Sequence, residues 1–287
     1  MVGVVSNTEI NSTPSALKTL SVRATGDPLD PDGRGSFIKP AELVDAVEIS
    51  ALNRSELILY NQLLANAWND IEEGRVYSVR KSQLRGSHDS NDRLHDSFDR
   101  LMSAFAKVKY RDPATGQTKT VRISLLGPNV EEDNDDGCFH YTFHPSLLTI
   151  LESSRSWARL KSEVLYLLRS KYSIRLYELI ERRINMRAQS EAFTVTQLRG
   201  LLGVPKGKLM RFADFNSQCL KTAVGEVNHL TDYEVSLALI KRGRSVEQIR
   251  VTWLKKCDEA KRQAAVERKR SRIGRVARRK GKVEIIL

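Results

Sequence analysis

The sequence predicts an α+β fold, mainly helical, built as two tandem winged helix–turn–helix domains, and three observations carry that prediction. In the run Leu168 to Leu179, LRSKYSIRLYEL, and just beyond it, Leu168, Tyr172, Leu176, Leu179 and Ile180 fall at 3–4 spacing, the buried stripe of one helix. Downstream, DFNSQCLKTAVGEVN is a second amphipathic helix, and TVTQLRGLLGVPKGK between the two reads as a short helix and a turn. DYEVSLALIKRGRSVEQIRVTWL then makes two strands that turn at Lys241-Arg242-Gly243-Arg244. Helix, short helix, turn, longer helix and hairpin is the winged-helix order.

Taken from the start, residues 1–36 are rich in Ser, Thr, Asn, Gly and Pro and end in GDPLDPDGRG, the composition of a disordered leader. Folding is expected from about Ile38. Asn53 with Glu56 three residues on is a capping-box variant that opens a helix carrying Leu57, Tyr60, Leu63, Leu64, Ala67, Trp68 and Ile71. A short helix from Val79 to Leu84 and a longer one over Asp92–Lys107 follow. KVKYRDPATGQTKTVRISLL alternates about a Pro-Ala-Thr-Gly-Gln turn, a hairpin. The acidic loop EEDNDD leads into a strand, CFHYTFH.

The second half repeats this order. Tyr77-Ser78-Val79 matches Phe193-Thr194-Val195, and Leu84-Arg85-Gly86 matches Leu198-Arg199-Gly200, at nearly the same offset. The expected division is a leader over 1–36, a first winged helix over 37–155 for protein–protein and DNA backbone contacts, a second over 156–257 as the main DNA reader, and a basic tail over 258–287. The two domains would join near Glu152–Arg159.

Charge points the same way. The chain carries 47 Lys+Arg against 35 Asp+Glu, a net +12, and residues 255–287 hold 13 of the former and 4 of the latter. Such a tail favours a polyanion by counterion release, with a solvated tail serving solubility as the alternative. Cys138, Cys219 and Cys257 fit neither a disulfide framework nor zinc spacing, which suits a reducing compartment. No signal peptide and no apolar run of membrane-spanning length is visible, so a cytosolic location is expected.

On a helical wheel, Phe215, Cys219, Leu220, Ala223, Val224 and Val227 make the core face of the DFNSQCL helix. Ser217, Gln218, Lys221, Thr222 and Gly225 lie opposite, short polar groups suited to base edges and a phosphate, with Asn216 beside them. Gly225 in mid-helix costs helix stability, which close backbone approach to DNA would offset. Lys206, Lys208 and Arg211 precede this helix, and Lys241, Arg242 and Arg244 tip the wing. In the first half Leu94, Phe98, Leu101, Met102 and Phe105 form the equivalent core stripe. Its outer face mixes Arg93 and Arg100 with Asp92, Asp96 and Asp99, which predicts a lesser share of base reading, with Arg80, Lys81 and Arg85 as candidate phosphate contacts.

No catalytic residue, metal or cofactor is expected. Gly203 to Leu209 imitates a phosphate loop but has one residue too few between its glycines and Leu209 in place of Ser/Thr. Glu132, Asn134, Asp136 and Gly137 imitate a calcium loop, yet the twelfth position is Phe143. Cys138, His140 and His144 lack a fourth ligand.

The motifs LRSKYSIRLYELI, TVTQLRGLLGVP, FADFNSQCLKTAVGEVN and DYEV…IKRGRSVEQI, in that order, resemble the theta-type, iteron-binding plasmid replication initiators of the RepE/RepA-like superfamily, over roughly residues 38–254. The resemblance implies two winged helices that bind double-stranded plasmid origin DNA at tandem iterons, help melt it, and recruit the host replication initiator and replicative helicase. It also implies a homodimer for autorepression. Where family members often have basic residues directly after the Asp-Phe pair, this chain has Asn216, Ser217 and Gln218. A winged-helix transcriptional regulator without an initiator role is the alternative, and a nicking or primer-making enzyme the rival of another class.

Overall fold

A computed structural model describes residues 35–281 apart from 47, 68–73, 85–90, 113, 132–136 and 155. The first half opens with β1 (Ser36–Pro40), α1 (Ala41–Val44), β2 (Glu48–Ile49) and α2 (Arg54–Ala67). The capping box forms as its spacing predicts: the Asn53 N–H donates to Glu56 Oε2 at 2.7 Å, and the Glu56 N–H donates to Asn53 Oδ1 at 3.1 Å. Leu57, Tyr60, Leu63, Leu64 and Ala67 are buried. Trp68 and Ile71 lie outside the described residues.

Two helix boundaries in the first half differ from expectation, each because a strand claims the residues. Val79 and Arg80 belong to β3 (Tyr77–Arg80), paired with Phe139 and Cys138, so the short helix α3 is only Lys81–Leu84. The longer helix α4 spans Asn91–Met102, not Asp92–Lys107, because β4 (Phe105–Arg111) takes over and pairs with β2 and with β5 (Thr118–Ser124). Leu94, Phe98 and Leu101 are buried and Met102 packs on the core, whereas Phe105 is 36% exposed on its strand. The hairpin turns through Gly116 at φ +67, a conformation open to glycine. β6 (Asn129–Glu131) and β7 (Cys138–Tyr141) pair with each other, and β7 also with β3. Residues 132–136 of the acidic loop are outside the described part.

α5 (Pro145–Ser153) is capped by His144, whose Nδ1 accepts from the Ser146 N–H at 3.2 Å. The stretch expected to join the domains instead carries β8 (Trp157–Lys161), antiparallel to β1, which ties the first described strand to the middle of the chain. After α6 (Ser162–Leu167), the LRSKYSIRLYEL helix is α7, Lys171–Arg183. It starts three residues later than expected because Leu168 closes α6 and the Ser170 hydroxyl accepts from the Tyr172 N–H. Leu168, Leu176, Leu179 and Ile180 are buried.

β9 (Ser190–Thr194) and α8 (Val195–Leu201) follow, joined by a second capping box between Thr194 and Gln197. The next helix, α9, is α-helical over Phe212–Asp214, π-helical over Phe215–Leu220 and α-helical again over Lys221–Leu230. β10 (Tyr233–Arg242) and β11 (Ser245–Lys255) form the expected hairpin, Arg242 opposite Ser245, with β9 as the third strand of the sheet. Residues past Cys257 make α10 (Asp258–Lys269) and α11 (Arg275–Arg279). Two helix–helix–hairpin units thus repeat, but the hairpin of the first adds β2, not β3.

The apolar core runs through both units, and a buried polar knot crosses it. Lys39 Nζ on β1 lies 2.8 Å from Glu178 Oε1 on α7, and Arg175 Nη1 lies 2.6 Å from Glu178 Oε2. Asn61 Nδ2 donates to the same carboxylate at 3.0 Å, and Arg175 Nη2 reaches Val44 O at 3.0 Å. Burial pushes Glu178 up, but Lys39 and Arg175 bring it below the usual carboxylate range; burial lowers Lys39.

Glu181, one helical turn on, has no such cation in contact among the described residues. Burial pushes it up to about 7, against hydrogen bonds from Tyr177 and Tyr233 that lower it. A raised carboxylate pKa means the folded state holds the extra proton. Its stabilisation is complete below the unfolded value of about 4.3 and is lost as pH rises to about 7. Unfolding free energy should therefore fall across that window by up to about 4 kcal/mol from this group. Glu181→Gln should flatten that part of the profile in denaturant unfolding at pH 5 and pH 8; an unchanged slope would rule the assignment out.

Candidate nucleic-acid interface

The side chains proposed from the wheel sit on α9 as a group. Phe215, Cys219, Leu220, Ala223 and Val227 are buried, while Val224 is half-buried. Ser217, Gln218 and Lys221 are exposed, and Asn216 and Thr222 half-exposed. The π turn shapes this patch. The Lys221 N–H donates to Asn216 O, five residues back, which widens the helix where its polar groups face out.

The turn before α9 is held by a residue that the sequence marks only as part of a repeat. The Arg199 guanidinium donates to Lys208 O and Leu209 O and stands 5.2 Å over the Phe215 ring. It clamps Leu209 at φ +50, a conformation costly for a branched residue, and leaves Met210 72% exposed. Lys206, Lys208 and Arg211 are exposed around it. Arg211 Nε lies 3.8 Å from Asp214 Oδ2, a weak surface pair. The Leu-Arg-Gly repeat was the available sequence signal for Arg199; what its guanidinium grips was not in it. Lys241, Arg242 and Arg244 are exposed at the wing tip, where a bulge between Ile240 and Lys241 bends the strand.

Gly225 requires a correction. Its open side is not free for a backbone to approach, because the Arg279 side chain of α11 covers it. A Cβ built there would meet Arg279 Cδ and Nε at 3.6 Å, ordinary van der Waals contact. Gly225→Ala should consequently raise stability by about 0.5–1 kcal/mol through helix propensity and leave DNA affinity unchanged. Thermal melts and a binding isotherm check both; a large affinity loss would restore the close-approach explanation.

The first unit offers less. Arg80 is exposed, but Lys81 is 2% exposed and so is not placed to hold a phosphate; it opens α3, where its backbone N–H donates to Gly137 O at 3.0 Å. Arg100 is exposed and pairs with Glu56 at 3.0 Å. Asp96 and Asp99 stand exposed on the same helix. Arg85 and the side chains of Asp92 and Arg93 lie outside the described part. Among the described residues no three of His, Cys, Asp and Glu gather as a metal site, and no helix is long and apolar enough to cross a membrane.

Two such units in one chain, the second presenting a polar helix face between a basic turn and a basic wing, define a tandem winged-helix protein. Residues 37–181 match the family model for the first winged helix of the initiator replication proteins, and residues 194–253 match that for their second. The chain belongs to the initiator Rep protein family. Its fold is similar to that of the Pi initiator protein, solved in complex with iteron DNA, at 16% identity, a TM-score of 0.56, and coverage of 78% of this chain and 99% of that one. Two structures of domains 2 and 3 of RctB, at 13% and 14% identity, cover 71% and 72% of this chain and 83% of theirs with TM-scores of 0.43 and 0.41. Curated protein sequences give no match.

Proposed function

We propose that the protein is a sequence-specific initiator of plasmid replication that binds iteron repeats at its origin. Family membership carries the proposal, and the exposed Ser217, Gln218 and Lys221 between basic segments support it. The Pi initiator protein, similar in fold, was solved in complex with iteron DNA, which fits this reading. In this reading residues 156–257 supply most of the base contacts and residues 37–155 add backbone contacts and a dimer surface. The two longer helices enter successive major grooves, about 34 Å apart along the duplex. Origin melting, recruitment of the host initiator and helicase in the bacterial cytoplasm, and autorepression by a homodimer complete the proposed role, which includes no catalytic step.

The deciding measurement is footprinting on the DNA flanking the gene, with replication of a plasmid carrying that segment. Protection of several short direct repeats beside an AT-rich stretch, and replication that depends on the protein, are expected. Protection of an inverted repeat alone, with no replication, would make it a transcriptional regulator.

A further inference from the structure

Residues 258–281 lie past the end of the second family match at residue 253, yet they fold back onto α9. Much of their charge is neutralised, partly within the segment and partly by the fold it docks on. Arg268 pairs with Asp232 at 3.2 Å and Glu163 at 3.3 Å, Arg275 and Arg278 pair with the buried Glu267 at 3.3 and 2.7 Å, and Arg279 lies 3.6 Å from Glu226. The segment is a docked module, in place of the free basic tail that composition suggests.

Docking brings Arg272 and Arg279 up to Arg54 and Arg169, which are far from them in sequence. Arg54, at the start of α2, donates from Nε to Leu168 O at 2.7 Å and from Nη2 to Tyr166 O at 2.8 Å. Arg272 Nη2 donates to that same Tyr166 carbonyl at 3.2 Å, so the two guanidinium groups are close neighbours. The adjacent Arg169 donates its backbone N–H to Glu226 Oε2 at 2.9 Å, and Arg279 stands at the other oxygen of that carboxylate. Glu226 also accepts from the Ser170 N–H, so backbone donors already engage the carboxylate the arginines surround. Burial, then the Arg272 charge, hold Arg54 below an ordinary arginine; Glu226 works against this and Arg169 adds to it.

Like charges held this close raise the local positive potential and favour an anion. Arg169 and Arg272 are exposed, so an anion can reach them. Ser170 caps α7 at this point, and the positive end of that helix adds to the field. Location narrows the ligand. Gly225 continues the Ser217–Gln218–Lys221 stripe by one turn, and Arg279 covers it, so the cluster begins where the polar face of α9 ends.

We propose that Arg54, Arg169, Arg272 and Arg279 form a phosphate-binding cluster that grips a backbone phosphate of the bound duplex beside the groove entered by α9. It rests on the DNA-binding role proposed above. Guanidinium forks suit this task because they meet phosphate oxygens two at a time.

The test uses the full chain with Arg272→Gln and Arg169→Gln, both exposed positions, and the origin duplex over a range of salt. Each variant should bind roughly tenfold more weakly, with the salt slope lower by about one unit. The double variant should lose little more than the stronger single one, because the two share a phosphate. A single methylphosphonate at the contacted position should reproduce the loss in the wild type and add none to Arg272→Gln. Unchanged affinity and slope in both variants, while the wild type still binds the origin, would overturn the cluster. Failure of the wild type to bind would instead overturn the initiator role. Thermal stabilisation by inorganic phosphate or pyrophosphate that Arg272→Gln abolishes, with an unchanged DNA slope, would assign the site to a free phosphate and overturn the DNA contact.

Discussion

Glu178→Ala is expected to cost about 3–5 kcal/mol of folding free energy, a large share of the net stability of a folded domain. Glu178 is fully buried, and its carboxylate faces two cations with side chains only 3% exposed, Lys39 and Arg175. Removing it leaves both charges without their counterion. Arg175 retains carbonyl partners in Val44 and Leu201, while Lys39 Nζ keeps the Asn61 amide oxygen at 3.2 Å, a neutral acceptor. Its pKa, already lowered by burial, would fall further, and loss of the proton limits the penalty. Because the knot ties β1 to α7 across 139 residues of chain, the loss should appear as earlier unfolding of the whole molecule. Urea denaturation measures it. The paired change Lys39→Met with Glu178→Leu, which removes ion and counterion together, should recover most of the loss. A cost below about 1 kcal/mol for Glu178→Ala would show that the knot contributes little to holding β1 against α7.

Substitutions on the exposed stripe of α9 should have the largest effect on binding. Gln218→Ala is expected to cost about 1–3 kcal/mol on the preferred repeat and much less on unrelated duplex, because a glutamine amide reads a base edge with paired hydrogen bonds. Lys221→Ala should behave differently. It should weaken binding to all sequences alike and lower the salt slope by about one unit, as expected for a phosphate contact. Both residues are exposed and outside the core, so melting temperature should not move. Specific and non-specific isotherms at two salt concentrations separate the outcomes. If neither variant changes affinity, α9 is not the reading helix, and the exposed turn at Lys206–Arg211 becomes the better candidate.

The pattern of agreement follows from the range of the interactions involved. The Asn53–Glu56 box, the stripe of α7 and the Lys241–Arg244 turn are made by residues near in sequence, and each forms where its spacing says. Three of the missed boundaries share one cause. Val79 and Arg80 leave their predicted helix for a strand whose partners begin at Cys138. Phe105 leaves a helical stripe because β2 and β5 offer its segment a ladder. Trp157–Lys161 reads as a junction until β1 pairs with it. The outward residues of α9 were legible from periodicity, but its π turn and the Arg199 clamp were not.

Periodicity, caps and turn residues by themselves determined the helix–helix–hairpin order, its repetition and the polar face of α9, since each depends on neighbours a few positions apart. Tertiary structure alone decided that Lys81 is buried, that Lys39 and Arg175 share one carboxylate, that Arg279 covers Gly225 and that the basic segment docks on the fold. The reason is physical: a charged side chain's role depends on which distant groups share its solvent-excluded volume, and local spacing carries no record of them.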